Sequence, residues 1–186
     1  MDDIAKNVIV EASQGDIDAF EKIYRHYFHF VANVAFRVVN RREDAQDVTQ
    51  EVFVTIYDNL KDFRFASSFK TWVYRITVNA AINYAKRAAK HRNNMVEYTQ
   101  VFDLKSPDPG AVEKMDSQIS EKEVQALLNM LNPDQRACIV LRGFEGLSYE
   151  EISKALQMPI NTVRSRIKRA REAMLALKKE VIKHDV

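Results

Sequence analysis

The chain has few of the residues that cross-link a small fold or interrupt its helices. One cysteine in 186 residues excludes a disulfide within the chain, and Cys138 lies between apolar neighbours, which predicts a buried core residue. Four glycines and four prolines favour a mostly helical protein. No apolar run reaches bilayer length, and the N-terminus lacks a signal-peptide pattern. We therefore expect a cytoplasmic chain without membrane insertion.

Charge of one sign is also missing over long stretches. Residues 63–92 contain seven Lys or Arg and no acid, and residues 160–171 contain five and no acid. Residues 41–62 reverse the balance, with six acids against three bases. The net charge of +2 conceals these blocks. Separated basic and acidic segments favour nucleic-acid surfaces and a basic protein partner, respectively.

The spacing of residues 146–171 predicts a helix-turn-helix. Ser148 and Glu151 have capping-box spacing, and Gln157-Met-Pro159 interrupts the helix that follows them. The next helix combines its five bases with an apolar stripe at spacings of four and three: Val163, Ile167 and Ala170. A short helix, a tight turn and a basic amphipathic helix are typical of a major-groove reader. The alternative is a solvated basic helix on an ordinary bundle.

Turn and cap residues predict four helices before residue 96. The first ends near Gly15, the second begins near Asp16, Asn40 caps the third, and Ser67 or Ser68 caps the fourth. Residues 96–113 hold two prolines and begin an acidic stretch, which predicts a linker. The predicted fold is all-α, with a helical domain over 1–95, a linker over 96–113, and a helix-turn-helix domain over 114–186.

Aromatic and amide side chains are interleaved with the bases of residues 63–92. Phe63 and Phe65 precede the fourth helix and are expected to be exposed, whereas Trp72 is expected in the core or at its edge. Asn79 and Asn83 are suited to bidentate hydrogen bonds with base edges. Cations that follow phosphates beside rings that stack on bases favour single-stranded nucleic acid.

Three motifs in this order resemble an extracytoplasmic-function (ECF) sigma factor of bacterial RNA polymerase. The sequence DAQDVTQEVF of residues 44–53 is similar to the family's polymerase-binding helix. FRFASSFKTWVYRITVN of residues 63–79 is similar to its promoter-melting and −10 segment. LNPDQRACIVLR of residues 131–142, with the helix-turn-helix, is similar to its −35 domain. The resemblance spans roughly residues 16–175.

The resemblance implies three sets of site residues. For polymerase binding they are Asp44, Asp47, Gln50 and Glu51. For −10 DNA they are Phe63, Arg64, Phe65, Ser67, Ser68, Lys70, Trp72, Arg75, Asn79, Asn83 and Arg87. For −35 DNA they are Thr162, Arg164, Ser165, Arg166, Lys168 and Arg169.

The resemblance also implies a transcription initiation factor that is not an enzyme and needs no cofactor or metal. Its implied partners are core RNA polymerase, promoter DNA (duplex at −35 and single-stranded at −10) and an anti-sigma factor. The chain departs from the family's pattern at Asn83, where an acid is frequent. It departs again at Phe65 and Ala66, where glycine and a polar residue are frequent. The first departure bears on the −10 sequence preference, and the second bears on the shape of the loop.

Two other classes compete with this interpretation. A conventional helix-turn-helix regulator accounts for residues 146–171, but not for the acid-free aromatic stretch, and it usually dimerises on a palindrome. The motifs expected of a nucleic-acid enzyme are missing, because the sequence contains no Walker loop, glycine-rich dinucleotide motif or HExxH sequence. His26 and His29 have no carboxylate or cysteine nearby in sequence to complete a metal site.

Overall fold

The computed structural model describes the backbone of residues 4–98 and 121–184, and the side chains of residues 4–90 and 123–176. Within these ranges the chain is helical, with eight α-helices and one 3₁₀ turn at Leu60–Asp62. The helices are α1 (Lys6–Ser13), α2 (Ile17–Val39), α3 (Arg42–Asn59), α4 (Phe69–Tyr98), α5 (Glu121–Asn129), α6 (Pro133–Gly143), α7 (Tyr149–Leu156) and α8 (Ile160–His184). The predicted all-α class is confirmed.

Helices α1 to α4 form an N-terminal bundle whose boundaries follow local chemistry. Gly15, with a φ of 97°, separates α1 from α2. The Asp16 carboxylate accepts a hydrogen bond from the Ala19 amide at 2.9 Å and caps α2. The apolar stripes of α2, α3 and α4 meet in one core, because spacings of three and four place them on one face of each helix. Its largest fully buried side chains include Tyr27, Ile23 and Ile56.

The predicted cap of α3 is wrong. Of the two residues predicted as the cap of α4, only Ser68 caps the helix. Asn40 has a φ of 64° and ends α2 in the left-handed conformation, its amide bonded to the Phe36 carbonyl at 2.8 Å. Asparagine tolerates that conformation, so Asn40 serves the preceding helix instead of the next one. At α4, Ser68 Oγ accepts a hydrogen bond from the Thr71 amide at 3.1 Å, and Ser67 makes no such bond.

Helices α5 to α8 form the C-terminal unit. Asn132 caps α6 by accepting from the Gln135 amide at 2.9 Å, with Pro133 in the first turn. Ile152 and Ala155 of α7 are buried in the same core as Val163, Ile167 and Ala170 of α8, all at most 2% exposed, which confirms the predicted stripe of α8. Cys138 is also fully buried, and burial raises the pKa of its thiol to about 11.

The two units pack directly on each other, with α2 and α4 against α6 and α7. Helix α4 continues past residue 95 to Tyr98, so the first three residues of the expected linker are helical. The rest of that linker, like the beginning of the C-terminal domain as predicted, lies outside the described residues. Across the ranges covered here, no helix is long and apolar enough to cross a bilayer.

Candidate nucleic-acid and polymerase interfaces

The exposed side of α8 carries four of the six residues predicted for −35 DNA. Because Val163, Ile167 and Ala170 face the core, the side chains on the opposite side of α8 point outward. Asn161, which sequence reasoning missed, lies on this same exposed side and accepts a hydrogen bond from Arg164 at 3.4 Å. Its position in the first turn of the second helix is the signal that identifies it. The four predicted residues found exposed are Arg164, Ser165, Lys168 and Arg169.

Arg166 and Thr162 do not share this exposure. Arg166 donates to the Asp134 carboxylate of α6 at 3.1 Å, and its side chain is 30% exposed. Thr162 is half-buried, and its carbonyl accepts a bond from Ser165 Oγ at 2.9 Å. The Arg166 guanidinium thus joins α8 to α6 in the free chain, and its predicted contact with DNA stays a prediction.

The capping box of α7 holds the turn that orients α8. Ser148 Oγ accepts from the Glu151 amide at 3.1 Å, and Glu151 accepts from the Ser148 amide at 2.8 Å, as predicted. The bond from the Ser148 amide lowers the pKa of Glu151. At the other end of α7, Gln157 adopts a φ of 49° and Ser153 Oγ donates to the Met158 carbonyl at 2.6 Å. These local bonds set the direction in which α8 leaves the turn.

We expect Ser148→Ala to destabilise the C-terminal unit by about 1 kcal/mol, because the Glu151 amide in the first turn of α7 loses its partner. Urea unfolding followed by circular dichroism measures the loss. The Glu151 contribution is present above its unfolded-state pKa and disappears as the pH falls through its lowered folded-state pKa. Glu151→Gln is the matched control, since it retains the reciprocal bond but not that acid dependence. An unchanged midpoint of urea unfolding in Ser148→Ala would contradict the capping role.

The aromatic residues before α4 form a cluster of their own instead of a row of free rings. Phe63 packs against Phe65, Phe69 and Trp72 with ring centroids 4.8, 5.3 and 5.1 Å apart. Trp72 is 8% exposed, so its assignment to the core is confirmed and its ring is not available to stack on DNA. Phe63 is half-buried, against the expectation of exposure, because this cluster covers it. Phe65 is 40% exposed.

Phe65 also has unusual backbone geometry. Its φ of 55° lies in the left-handed region, which costs a non-glycine residue about 1–3 kcal/mol. The Lys6 ammonium of α1 lies 4.8 Å from the centroid of the Phe65 ring, and Phe63 contacts the same ring. The loop therefore adopts a conformation that suits glycine, although the chain has phenylalanine there.

The remaining −10 candidates differ in exposure along the loop and α4. Lys70 and Arg75 are half-buried near the start of the helix. The Lys70 ammonium lies 5.6 Å from the Tyr74 ring centroid, and Tyr74 is buried by stacking on Phe30 at 3.8 Å. The candidates that are exposed are Arg64, Ser67, Ser68, Asn79, Asn83 and Arg87.

The four predicted polymerase-binding residues of α3 divide between two directions. Asp47, Gln50 and Glu51 are exposed, whereas the Asp44 side chain is only 15% exposed. A hydrogen bond to the Asp44 carboxylate raises the pKa of Tyr84 on α4. The Glu51 carboxylate of α3 lies 3.8 Å from the Arg87 guanidinium of α4. The Asp44 carboxylate is thus directed towards α4, whereas Asp47, Gln50 and Glu51 are exposed on α3, and the polymerase contacts of all four stay predictions.

A groove of about 910 Å³ runs between α2 and α3 beside Gln50. Three apolar side chains on its walls are exposed: Tyr24 by 39%, Val54 by 54% and Tyr57 by 45%. Exposed apolar groups gathered in one place mark interaction surfaces. Sequence reasoning assigned no binding surface to Tyr24 and also missed Val54 and Tyr57. Apolar residues out of phase with the buried stripe of α3 are the signal that identifies the last two.

Metal-type clusters of histidine, cysteine and carboxylates are absent from the residues that the structure describes. His26 packs against Tyr27 with ring centroids 4.8 Å apart, and His29 lies 5.7 Å from the Phe28 ring. Both histidines therefore take part in ring packing on α2.

Comparison with known proteins assigns both units. Residues 23–91 match Sigma-70 region 2, and residues 121–174 match Sigma-70, region 4. The chain is 36% identical to the RNA polymerase sigma-H factor of Pseudomonas aeruginosa over 179 residues, 91% of each chain. It is 38% identical to the ECF RNA polymerase sigma-E factor of Escherichia coli (strain K12) over 180 residues, 92% of this chain and 93% of that one.

The chain belongs to the ECF family of RNA polymerase sigma factors. It is thus a promoter-specific transcription initiation factor, as its motifs predicted. A solved structure of the sigma factor RpoE in complex with the anti-sigma factor NepR from Bartonella quintana has the same fold. It matches with a TM-score of 0.64 at 24% identity, covering 88% of this chain and 98% of that chain. Sigma factors are known as transcription initiation factors rather than catalysts, and membership of this family favours the first interpretation over the conventional regulator.

Proposed function

We propose that this sigma factor contacts its promoter and polymerase through three separate surfaces, without catalysing a reaction itself. The observation that carries the proposal is the exposed side of α8, where four polar or basic side chains stand on a helix oriented by a capped turn. The other two surfaces are the α2–α3 groove with its acidic edge, and the loop with the exposed side of α4. Residues 1–95 and 114–186 would form the two DNA-binding domains, with 96–113 as their linker.

Core RNA polymerase would bind at the α3 edge formed by Asp47, Gln50 and Glu51. The edge continues into the groove through Gln50, so charged and apolar contacts are available side by side. Such a combination resembles protein interfaces, in which apolar anchors lie inside a polar rim. Of these contacts, the carboxylates favour a basic partner surface and Tyr57 offers an aromatic anchor.

Single-stranded −10 DNA would bind along the loop and the exposed side of α4. Asn79 and Asn83 present amides to base edges, and Arg64 and Arg87 present cations to phosphates. The strained Phe65 marks the turn at which an unpaired base would be held, since strain of this kind accumulates at ligand clamps. Duplex −35 DNA would bind α8 in its major groove through Arg164, Ser165, Lys168 and Arg169.

The protein would act in the cytoplasm, where polymerase and promoters are found. An anti-sigma factor is a proposed regulator, supported by the fold shared with the Bartonella quintana protein, whose structure contains one. Transcription with purified core polymerase, with and without this protein, tests the proposed function. We expect promoter-specific transcripts only when the protein is present. Equal transcription from templates that lack the −10 and −35 elements would refute the assignment.

Strand opening is tested by variants on the second surface. We expect Asn79→Ala to reduce open-complex formation by roughly 5- to 150-fold, the range that follows from about 1–3 kcal/mol for a lost base contact. Permanganate reactivity of unpaired thymines measures the opening. Polymerase binding should be unaffected, because Asn79 belongs to α4 and does not line the α2–α3 groove.

Phe65→Gly and Phe65→Ala separate the ring from the backbone. Glycine removes the ring and relieves the left-handed strain, while alanine removes the ring and keeps most of the strain. If the ring contacts a base, both variants open promoters poorly, and a template already melted at −10 restores them. If only the loop shape matters, Phe65→Gly opens promoters as well as the parent, and the ring has no role.

A further inference from the structure

The Phe65 ring, in the loop before α4, is held by two side chains from different parts of the chain. Phe63 of the same loop contacts it with ring centroids 4.8 Å apart. From α1, the Lys6 ammonium lies over the same ring, 4.8 Å from its centroid. The ring nevertheless remains 40% exposed. These contacts therefore hold the ring in place without closing it off from a ligand.

The position of Lys6 is fixed by the packing of α1. Ile9 and Ala12 of this helix are 3% and 4% exposed and belong to the core. Helix α1 also contacts the 3₁₀ turn at Leu60–Asp62, which leads directly into the loop. The Phe63 amide donates to the first carbonyl of that turn at 3.1 Å. Lys6 therefore stands on a packed helix, next to the start of the loop.

The stability of α1 does not account for a lysine at this position. Lys6 is the first residue of the helix, where the positive end of the helix dipole disfavours a cation. The first turn contains no acid to offset this effect, and the preceding Ala5 provides no side-chain cap. The Phe65 ring gives the cation a favourable partner, because the face of an aromatic ring is negative. The lysine is therefore better explained by the loop than by its own helix.

Phe65 needs such support because of its backbone conformation. Its φ of 55° is one that a non-glycine residue keeps only when its surroundings hold it there. A cation–π contact at an exposed site shifts an equilibrium by about two- to fivefold. Removing the cation should therefore shift the loop away from the left-handed conformation by that factor. A ligand that requires this conformation would then bind more weakly, by up to the same factor.

We propose that Lys6 is a positioning residue of the −10 site, which holds the loop through the Phe65 ring and makes α1 part of that site. Helix α1 lies outside residues 23–91, the segment that matches Sigma-70 region 2. The inference rests on the proposed function in taking the loop as the place where the unpaired −10 strand binds. It applies whether the ring contacts a base or only shapes the loop, because the cation fixes the ring in both cases.

The test measures binding of the holoenzyme to a single-stranded oligonucleotide with the non-template −10 element of a promoter that it transcribes. Lys6→Gln removes the cation and keeps a helix-favouring side chain, and we expect it to weaken binding by about two- to fivefold. Lys6→Arg keeps a cation that can lie over the ring, so it should bind as the parent does. Lys22→Gln is the matched control, since it removes one exposed lysine of α2, and it should have little effect.

A second background separates positioning from direct contact with DNA. Glycine adopts the left-handed conformation freely and has no ring, so Lys6→Gln should cause no further loss of binding in Phe65→Gly. A lysine that binds a phosphate would instead weaken binding equally in both backgrounds. Its removal would also reduce the salt slope of binding by about 0.7, the value for one contact with a single strand. We expect Lys6→Gln to leave that slope unchanged.

Equal losses in both backgrounds, or a reduced salt slope, would overturn the positioning role in favour of a phosphate contact. Parent-like binding of Lys6→Gln would overturn it as well, and so would an equal loss from Lys22→Gln.

Urea unfolding of the free chain repeats the cycle of Lys6→Gln and Phe65→Gly without DNA or polymerase. We expect the two residues to be coupled by about two- to fivefold in the unfolding constant, and a coupling of zero would refute the contact itself. Absence of promoter-specific transcription from the parent protein would contradict the proposed function. The unfolding cycle would still decide whether Lys6 holds Phe65.

Discussion

Replacing Asp47 and Glu51 together with lysine is expected to weaken binding to core RNA polymerase by about 2–4 kcal/mol, or roughly 30- to 700-fold. Both carboxylates are exposed on α3, beside the groove that carries Tyr24 and Tyr57. Charge reversal turns an attraction for a basic partner into repulsion. The core should remain folded, since the buried face of α3 is unchanged. Titration of fluorescent sigma factor with core polymerase measures the loss.

The control for this experiment reverses the same number of charges elsewhere. Glu11→Lys with Glu21→Lys changes two exposed acids of α1 and α2 and gives the same net charge. We expect this control to bind polymerase with nearly the parent affinity, after a small correction for long-range attraction that added salt removes. Equal weakening in both double variants would show that only net charge matters, and that α3 is not the docking site.

Removal of Arg164 or Lys168 is expected to reduce −35-dependent transcription, the first by loss of base recognition and the second by loss of a phosphate contact. An arginine that reads a guanine edge contributes about 1–3 kcal/mol, so Arg164→Ala should relax the preference at one base pair. A lysine on a phosphate should weaken all sequences alike and reduce the salt slope by about one. Binding of the holoenzyme to a panel of −35 variants at several salt concentrations distinguishes the two.

The control variant for that experiment is Arg166→Ala. The Arg166 guanidinium binds Asp134 rather than facing outward, so Arg166→Ala should lower stability and leave the ranking of −35 sequences unchanged. If Arg166→Ala alters that ranking while Arg164→Ala does not, the proposed orientation of α8 on DNA is wrong. Full transcription in both Arg164→Ala and Lys168→Ala would refute the major-groove assignment altogether.

Features determined by near neighbours were predictable from the sequence. The capping box at Ser148 and Glu151, the cap at Asp16 and the stripe of Val163 and Ile167 involve spacings of three or four residues. Helical geometry brings such residues together wherever the helix forms. The charge blocks and the order of three motifs then indicated the family, which the comparisons confirmed.

The predictions that failed concerned residues with two compatible structural roles. Asn40 was suited both to begin α3 and to end α2, and the left-handed turn after Val39 decided between them. Phe63 stood in a predicted loop, yet the cluster with Phe69 and Trp72 half-buries it. Residue type indicates which contacts are possible, but the neighbours that arrive from other helices select among them.

The sequence by itself determined that this chain is helical, that it belongs to the sigma factors, and which segments carry charge for DNA and for polymerase. Tertiary structure alone decided that Arg166 and Asp44 face other helices, that Tyr57 lines a groove, and that the two units are packed together. The physical reason is separation along the chain. Arg136 binds Val38 across 98 positions, and no local spacing encodes such a contact, because it exists only after both units have folded.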